Sequence, residues 1–237
     1  MGRAYEVRKA SIQKTGAAKA KLYSMYAKEI YQAAKNGGVD IESNAQLKRL
    51  TERAKKEQVP ADIIKRAIDK VNSGIDENYD AVRYEIFGPG NSTLIVDCLT
   101  DNVNRTLSYI RPALNKNKGK MGVSGSVAYM YDHLCIVGFK GLSLDETLEL
   151  MIDNGIDIDD IEENDNIIIY GNPTDLYKIK EAINSRLANV NFEIDEIVML
   201  PKDKIKLSGE DLESFEKMIK MLEEIEDVQH IYHNVEI

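Results

Sequence analysis

LCIVGF at residues 134–139, SLDETLELMIDN at 143–154, IDIDDI at 156–161, IIIY at 167–170, NPTDLYKIKEAINSRLA at 172–188 and FEIDEIVM at 192–199 decide the fold. The first, third, fourth and last are short runs rich in Ile, Val and Phe, the composition of half-buried strands. The second and fifth are longer, carry apolar residues at helical spacing, and open on residues that cap helices, Ser143 and the pair Asn172-Pro173. Glu162–Asn166 is polar and reads as the turn between the two middle strands. The order is therefore βαββαβ, the ferredoxin-like split βαβ pattern, complete in itself.

The flanks are incomplete on their own. Ala81–Phe87 and Thr93–Leu99 read as a hairpin across Gly88-Pro89-Gly90-Asn91. A helix follows from about Asn102, with Val103, Leu107, Ile110 and Leu114 on one face. Pro112 should kink or end it, because proline lacks the backbone donor. Asn115–Gly125 is a loop rich in lysine and glycine, and Ser126–Tyr131 reads as a strand. After Pro201 come a helix capped by Ser208, with Leu212, Phe215, Ile219 and Leu222, and a last strand at Val228–Val235. Four strands and two helices lie on either side of the βαββαβ block, so residues 134–205 are expected to be inserted into an α+β domain formed by 80–133 and 206–237.

Residues 1–79 differ in style. A pattern-poor arm, 1–13, leads into a helix from about Thr15 to Asn36 that ends at Gly37-Gly38. Asn44 can cap a second helix with Leu47, Leu50 and Ala54, and Pro60 can open a third with Ile64, Ala67, Ile68 and Val71. Residues 72–80 read as a linker. Lys14, Lys21, Lys28 and Lys35 recur every seven residues and drift only about 20° per heptad, so they form one stripe away from the apolar face. That stripe is either a phosphate-contacting surface or a solvated helix face. The expected fold class is α+β with three domains: a basic helical domain (1–79), a discontinuous α+β domain (80–133 and 206–237) and an inserted ferredoxin-like domain (134–205).

Charge is divided the same way. Of 237 residues with a net charge of −9, residues 1–75 hold 16 Lys and Arg against 8 Asp and Glu, while the remainder holds 15 against 32. A module of +8 precedes a body of −17, and a cationic face of that kind suits nucleic acid. No apolar run approaches the roughly 20 residues of a bilayer span, and no apolar stretch follows the basic N-terminus, so neither a membrane partner nor a secretory signal is expected and the cytosol is the expected location. Cys98 and Cys135 are too few for a disulfide framework or a thiolate zinc site.

No catalytic, metal or cofactor signature is complete, which argues against an enzyme. Gly119–Gly125 is glycine-rich but joins a helix to a strand, the reverse of a phosphate loop. His230 and His233 lie three apart on a strand and point to opposite faces. The carboxylates of 153–165 lack the spacing and central glycine of a calcium loop. Cys98, in a strand expected to be buried, has no evident base, and the Asn91-Ser92-Thr93 sequon has no meaning in a cytosolic chain.

The order of local motifs resembles the YebC/PmpR family, which includes a mitochondrial translational activator of cytochrome oxidase. The resemblance runs along the whole chain: Glu29-Ile30 to Gly37-Gly38; Glu42-Ser43-Asn44 with Leu47; Ala54-Lys55 with Val59-Pro60 and Ile64; Tyr84-Glu85 with Gly88-Pro89-Gly90; Thr100–Thr106; Gly122 with Gly125-Ser126-Val127; and Asp227-Val228-Gln229 with Tyr232-His233-Asn234. Thr100–Thr106 and Gln229–Asn234 are its most specific stretches. The resemblance implies the same three-domain layout. Members are usually labelled probable transcriptional regulators, and others act on translation at the ribosome. The chain departs from the family at Gly2–Lys14, where a tryptophan-containing basic segment is replaced, and it contains no Trp.

Thr100–Thr106 also has a physical reading. Asp101 or Asn102 can cap a helix whose free N–H groups favour an anion, with Asn104 and Arg105 adding donors. The other reading is a capped turn with Arg105 bonded internally. The candidate nucleic-acid contacts are thus Arg3, Arg8, Lys9, Lys14, Lys21, Lys28, Lys35, Asn102, Asn104, Arg105, Lys118 and Lys120. The expected function is a non-enzymatic nucleic-acid-binding regulator of gene expression, with DNA bound by the helical domain. The alternative is a ribosome-associated translation factor that binds structured ribosomal or transfer RNA, for example relieving stalled ribosomes, and a third class is an interaction scaffold. No metal or cofactor is expected, and the oligomeric state is left open.

Overall fold

The computed structural model describes residues 16–74 and 77–236. Arg3, Arg8, Lys9, Lys14 and the expected helix start at Thr15 lie outside the described residues. The chain divides into two compact units. One holds Met130–Lys202, and the other holds the described residues through Tyr129 together with those from Asp203.

The larger unit begins with three helices: α1 (Gly16–Gly37), α2 (Ala45–Lys56) and α3 (Ala61–Asn72). Asn44 caps α2 by accepting from the Leu47 N–H, and its amide also donates to the carbonyls of Ala33 and Gly38, so one side chain ends α1 and starts α2. Tyr26, Ile30, Ala33, Leu47, Leu50, Ala54, Ile64 and Ala67 close a separate core between them. Residues 77–79 do not hang as a free linker. Glu77 accepts a hydrogen bond from Lys70 and donates its backbone N–H to the Tyr31 hydroxyl, while the Tyr79 ring stands edge-on to Tyr31.

The chain then forms β1 (Asp80–Phe87), β2 (Thr93–Thr100), α4 (Val103–Asn115) and β3 (Lys120–Met121). After the other unit it returns as α7 (Gly209–Glu223) and β8 (Val228–His233). The sheet order is β3-β1-β2-β8, so strands from both sides of the intervening segment share one antiparallel sheet. One face, with Ile86, Leu94, Val96 and Cys98, packs on Ile110 and Leu114 of α4 and Phe215, Met218 and Leu222 of α7.

One expectation is narrowed here and one fails. Pro112 does not end its helix: α4 runs on to Asn115, and Pro112 sits on the exposed side with Ser108, whose carbonyl would have taken the missing bond, so water can serve that oxygen. Ser126–Tyr131 is not the strand that completes the sheet. That strand is β3, and residues 128–130 form a 3-10 turn. The cause is Glu85, whose buried carboxylate accepts from the N–H groups of Gly125, Val127 and Ala128 at 2.6, 2.5 and 2.8 Å. Donors turned toward one carboxylate are not available to a ladder. Glycine is required nearby, since a Cβ on Gly122 would collide with Ser126 Oγ and stand 3.1 Å from the Glu85 carbonyl.

The smaller unit contains β4 (Tyr131–Phe139), α5 (Leu144–Asp153), β5 (Ile158–Glu163), β6 (Ile167–Gly171), α6 (Leu176–Arg186) and β7 (Ile194–Pro201). Its antiparallel sheet has the order β5-β6-β4-β7, as a split βαβ motif requires. Ser143 and Glu146 form a reciprocal capping box at the start of α5. Cys135, Val137, Phe139, Ile167 and Ile169 of the sheet pack on Met151, Leu176, Ile179 and Ile183.

Candidate nucleic-acid interface

The seven-residue lysine spacing does produce a stripe on α1, and within the larger unit that stripe meets oxygen atoms of its own chain. The Lys21 ammonium donates to the Glu223 carbonyl at the C-terminal end of α7, where the helix dipole favours a cation. Lys28 donates to Asp227 Oδ1 at 3.1 Å and lies 3.6 Å from Glu226. Lys35 donates to the Glu77 carbonyl at 2.9 Å and to Asn78 Oδ1 at 2.7 Å. Between them, Ser24 bonds Glu226 and Glu29 faces His230 at 3.2 Å. Periodicity identifies the face of α1 correctly, but not what that face meets.

Asp227 is the centre of this arrangement. Its carboxylate is 4% exposed and accepts from Lys28, from Thr106 Oγ1 at 2.8 Å and from Arg105 Nη2 at 3.2 Å. Burial alone would raise its pKa, but the Thr106, Lys28 and Arg105 hydrogen bonds outweigh that and hold it below its ordinary value. Thr106 in turn bonds the Thr100 hydroxyl at 2.8 Å, and Thr100 accepts from the Asn102 N–H. Asn102 caps α4 by accepting from the Arg105 N–H. Arg105 also pairs with Asp101. The contacts of Thr100–Thr106 are those of the capped-turn reading: Asn102 takes the Arg105 N–H, and the guanidinium is bonded to two carboxylates. Asn104 is exposed on α4 without a hydrogen bond of its own among those described.

Lys118 and Lys120 are exposed, and they differ. Lys118 lies 3.2 Å from Glu210 and 3.3 Å from Asp211 of α7. Lys120 stands on the edge strand β3. The two histidines of β8 face opposite sides, as their spacing requires: His230 meets Glu29, and His233 stacks edge-on against Phe215 at 5.2 Å. Cys98 is buried in β2, and burial pushes its thiol up to about 12, so it is protonated at neutral pH.

Of the cations in one acid-free stretch, sequence reasoning named Arg105, Lys118 and Lys120 and missed Arg111 and Lys116. Residues 102–131 contain Arg105, Arg111, Lys116, Lys118 and Lys120 and not one Asp or Glu, in a chain with 40 acidic residues. A count of acids rather than of bases would have found it. Arg111 and Lys116 are exposed on α4 and at its C-cap, and neither has an ion pair among the described residues. Tyr109, on the same helix, is 56% exposed.

A basic helical module, an antiparallel sheet assembled from two separate stretches of chain and a ferredoxin-like sheet are the architecture of a family of regulatory proteins. The chain belongs to the TACO1/YebC family: the profile of the TACO1/YebC protein N-terminal domain matches residues 3–74, and that of the TACO1/YebC second and third domain matches residues 79–235. It is 48% identical to a protein named "Probable transcriptional regulatory protein" from Shewanella oneidensis, over 100% of this chain and 99% of the relative. A protein of the same name from Marinobacter nauticus is 47% identical over the same shares. A crystal structure of a conserved hypothetical protein from Aquifex aeolicus superposes with a TM-score of 0.75 at 33% identity, covering 94% of this chain and 93% of the other.

Proposed function

We propose that the protein is a non-enzymatic regulator of gene expression that binds nucleic acid, with duplex DNA engaged by the basic N-terminal module. The observation that carries this reading is the segregation of charge, +8 over residues 1–75 against −17 over the rest. Internal acceptors engage Lys21, Lys28 and Lys35, so the phosphate contacts fall to Arg3, Arg8, Lys9 and Lys14 and to exposed cations of α2 and α3 such as Lys55 and Lys65. Naming of the relatives as transcriptional regulators supports the same reading.

The test replaces Arg3, Arg8, Lys9 and Lys14 together with Gln in the full chain. Affinity for duplex DNA of any sequence should fall, and the plot of log affinity against log salt should flatten by about 0.9 for each phosphate no longer neutralised. Unchanged binding with an unchanged slope would reject the assignment. Ribosome cosedimentation of the same pair of proteins separates the alternative, an RNA-directed translation factor: co-pelleting that depends on these residues, with no duplex affinity, would replace the transcriptional reading by that one.

A further inference from the structure

The helical module and the α+β domain each close a core of their own, and the two apolar clusters share no residue. Helix α1 meets residues 223–230 through polar groups: Lys21 on the Glu223 carbonyl, Ser24 on Glu226, Lys28 on Asp227 and Glu29 on His230. Four of the five residues from 223 to 227 are acidic, and the fifth, Ile225, is anchored in the α+β core, which fixes the acids beside the lysine stripe. The segment thus sets a carbonyl and a carboxylate against lysines one heptad apart, where a nucleic-acid strand would set phosphate oxygens. Lys28 is nearly enclosed in this arrangement, so its ammonium cannot reach a phosphate while Asp227 holds it. Glu226 is exposed, and its described contacts both go to α1, to Ser24 at 3.1 Å and to Lys28 at 3.6 Å. Parting the segment from α1 does not strand the Asp227 carboxylate, because Arg105 and Thr106 of its own domain still bond it. A contact of this composition yields to competing charge.

We propose that the 223–227 segment is an autoinhibitory stand-in for nucleic acid: it occupies the phosphate positions of the α1 stripe, and a polyanion gains Lys21 and Lys28 by displacing it. The proposal rests on the nucleic-acid reading above and adds to it a closed state that binds weakly and an open state that binds tightly. In the closed state only cations outside the stripe are available. In the open state two more phosphates are neutralised. A ligand that makes extra contacts in one state shifts the population toward that state, and its apparent affinity is scaled by the fraction already there. Loosening the Glu226 contacts therefore raises affinity, although Glu226 itself touches no ligand.

The test is fluorescence anisotropy with a labelled DNA duplex, using variants of the full chain that loosen or lock this contact. Glu226→Gln should tighten binding about threefold, the size of an exposed ion pair's contribution. Glu224→Gln removes the same charge from an exposed side chain of the same segment and should leave affinity within a factor of about 1.5. Ser24→Cys combined with Glu226→Cys, bridged by a short bismaleimide, holds the segment on α1, and the native Cys98 and Cys135 are buried away from the reagent. The bridged protein should melt no lower than the unbridged double variant, bind the duplex less tightly, and show a salt slope smaller by about 1.8, near 0.9 for each of two phosphates. Equal affinity and slope with and without the bridge, or equal tightening by Glu226→Gln and Glu224→Gln, overturns this proposal and leaves the functional reading standing. A bridged protein that melts lower would show that the contact does not form as described, and overturns it too. Failure of both the unsubstituted chain and Glu226→Gln to bind the duplex overturns the proposal and the functional reading together.

Discussion

Helices α1 and α4 both carry cations on their non-core sides, and the two have opposite fates. On α1 the lysines are regularly spaced and numerous, yet Lys21, Lys28 and Lys35 each meet an oxygen of the same unit. On α4 and its C-cap the cations are fewer and irregular; Arg105 is bonded to Asp101 and Asp227, but Arg111 and Lys116 have no ion pair among the described residues. The difference lies in the surroundings. Where α1 lies alongside the 223–227 segment, a carboxylate and carbonyls are waiting. The stretch around α4 is acid-free for thirty residues. A run of positive charge is therefore weak evidence of an interface until the acids near it have been counted.

The largest test of this contrast is Asp227→Asn. The substitution keeps the shape but leaves the Lys28 ammonium, itself only 12% exposed, against a neutral amide. Breaking a buried pair by altering one partner should destabilise by about 3 kcal/mol, read from urea denaturation. A loss of less than about 0.5 kcal/mol would show that the α1 stripe is a solvated face after all. Next in size is Glu85→Gln. The buried carboxylate holds three N–H groups, and hydrogen bonds to a charged acceptor contribute about 1.5–3 kcal/mol, so a loss of about 2 kcal/mol is expected, with increased amide exchange at Gly125, Val127 and Ala128.

A pH test follows from the Asp227 carboxylate. Its ordinary value is 3.8, and it is held lower when folded. The group therefore contributes stability that is complete above 3.8 and is lost as the pH falls through the lower folded value. Urea midpoints should drop on going below about pH 4 in the unsubstituted protein, and drop less in Asp227→Asn. Equal drops would place the acid sensitivity elsewhere. The smallest effect belongs to Lys116→Gln, which should leave the melting temperature where it was, since nothing internal depends on that ammonium. A clear loss would mean that α4's outer side is as engaged as α1's.

The alternation of strands and helices in 134–199 is legible because each strand is a short Ile- and Val-rich run and each helix has its own cap, so local chemistry and tertiary role agree. The hairpin at 88–91 and the α2 cap at Asn44 are legible for the same reason. Ser126–Tyr131 misleads because a carboxylate some forty residues upstream, Glu85, takes the N–H groups that a ladder would need. Pro112 misleads because its cost depends on whether the freed carbonyl is wet, which the sequence of one helix does not record. At the candidate site, the motifs Tyr84-Glu85 and Gly125-Ser126-Val127 prove to be partners, as do Thr106 and Asp227. Their pairing is a long-range contact, and a linear pattern shows each half without the other.

The Lys28–Asp227 contact joins residues 199 positions apart. A chain made from its N-terminus exposes the helical module first and the carboxylate long after it. Until residues 223–227 emerge, Lys21 lacks the Glu223 carbonyl and Lys28 lacks the Asp227 carboxylate, while the segment 1–75 already carries its +8 beside the ribosomal RNA. Arrival of the 223–227 segment is what engages those two ammonium groups. The finished protein and its nascent form thus present different charge to the same polyanion, and any truncation before residue 223 would make the nascent condition permanent.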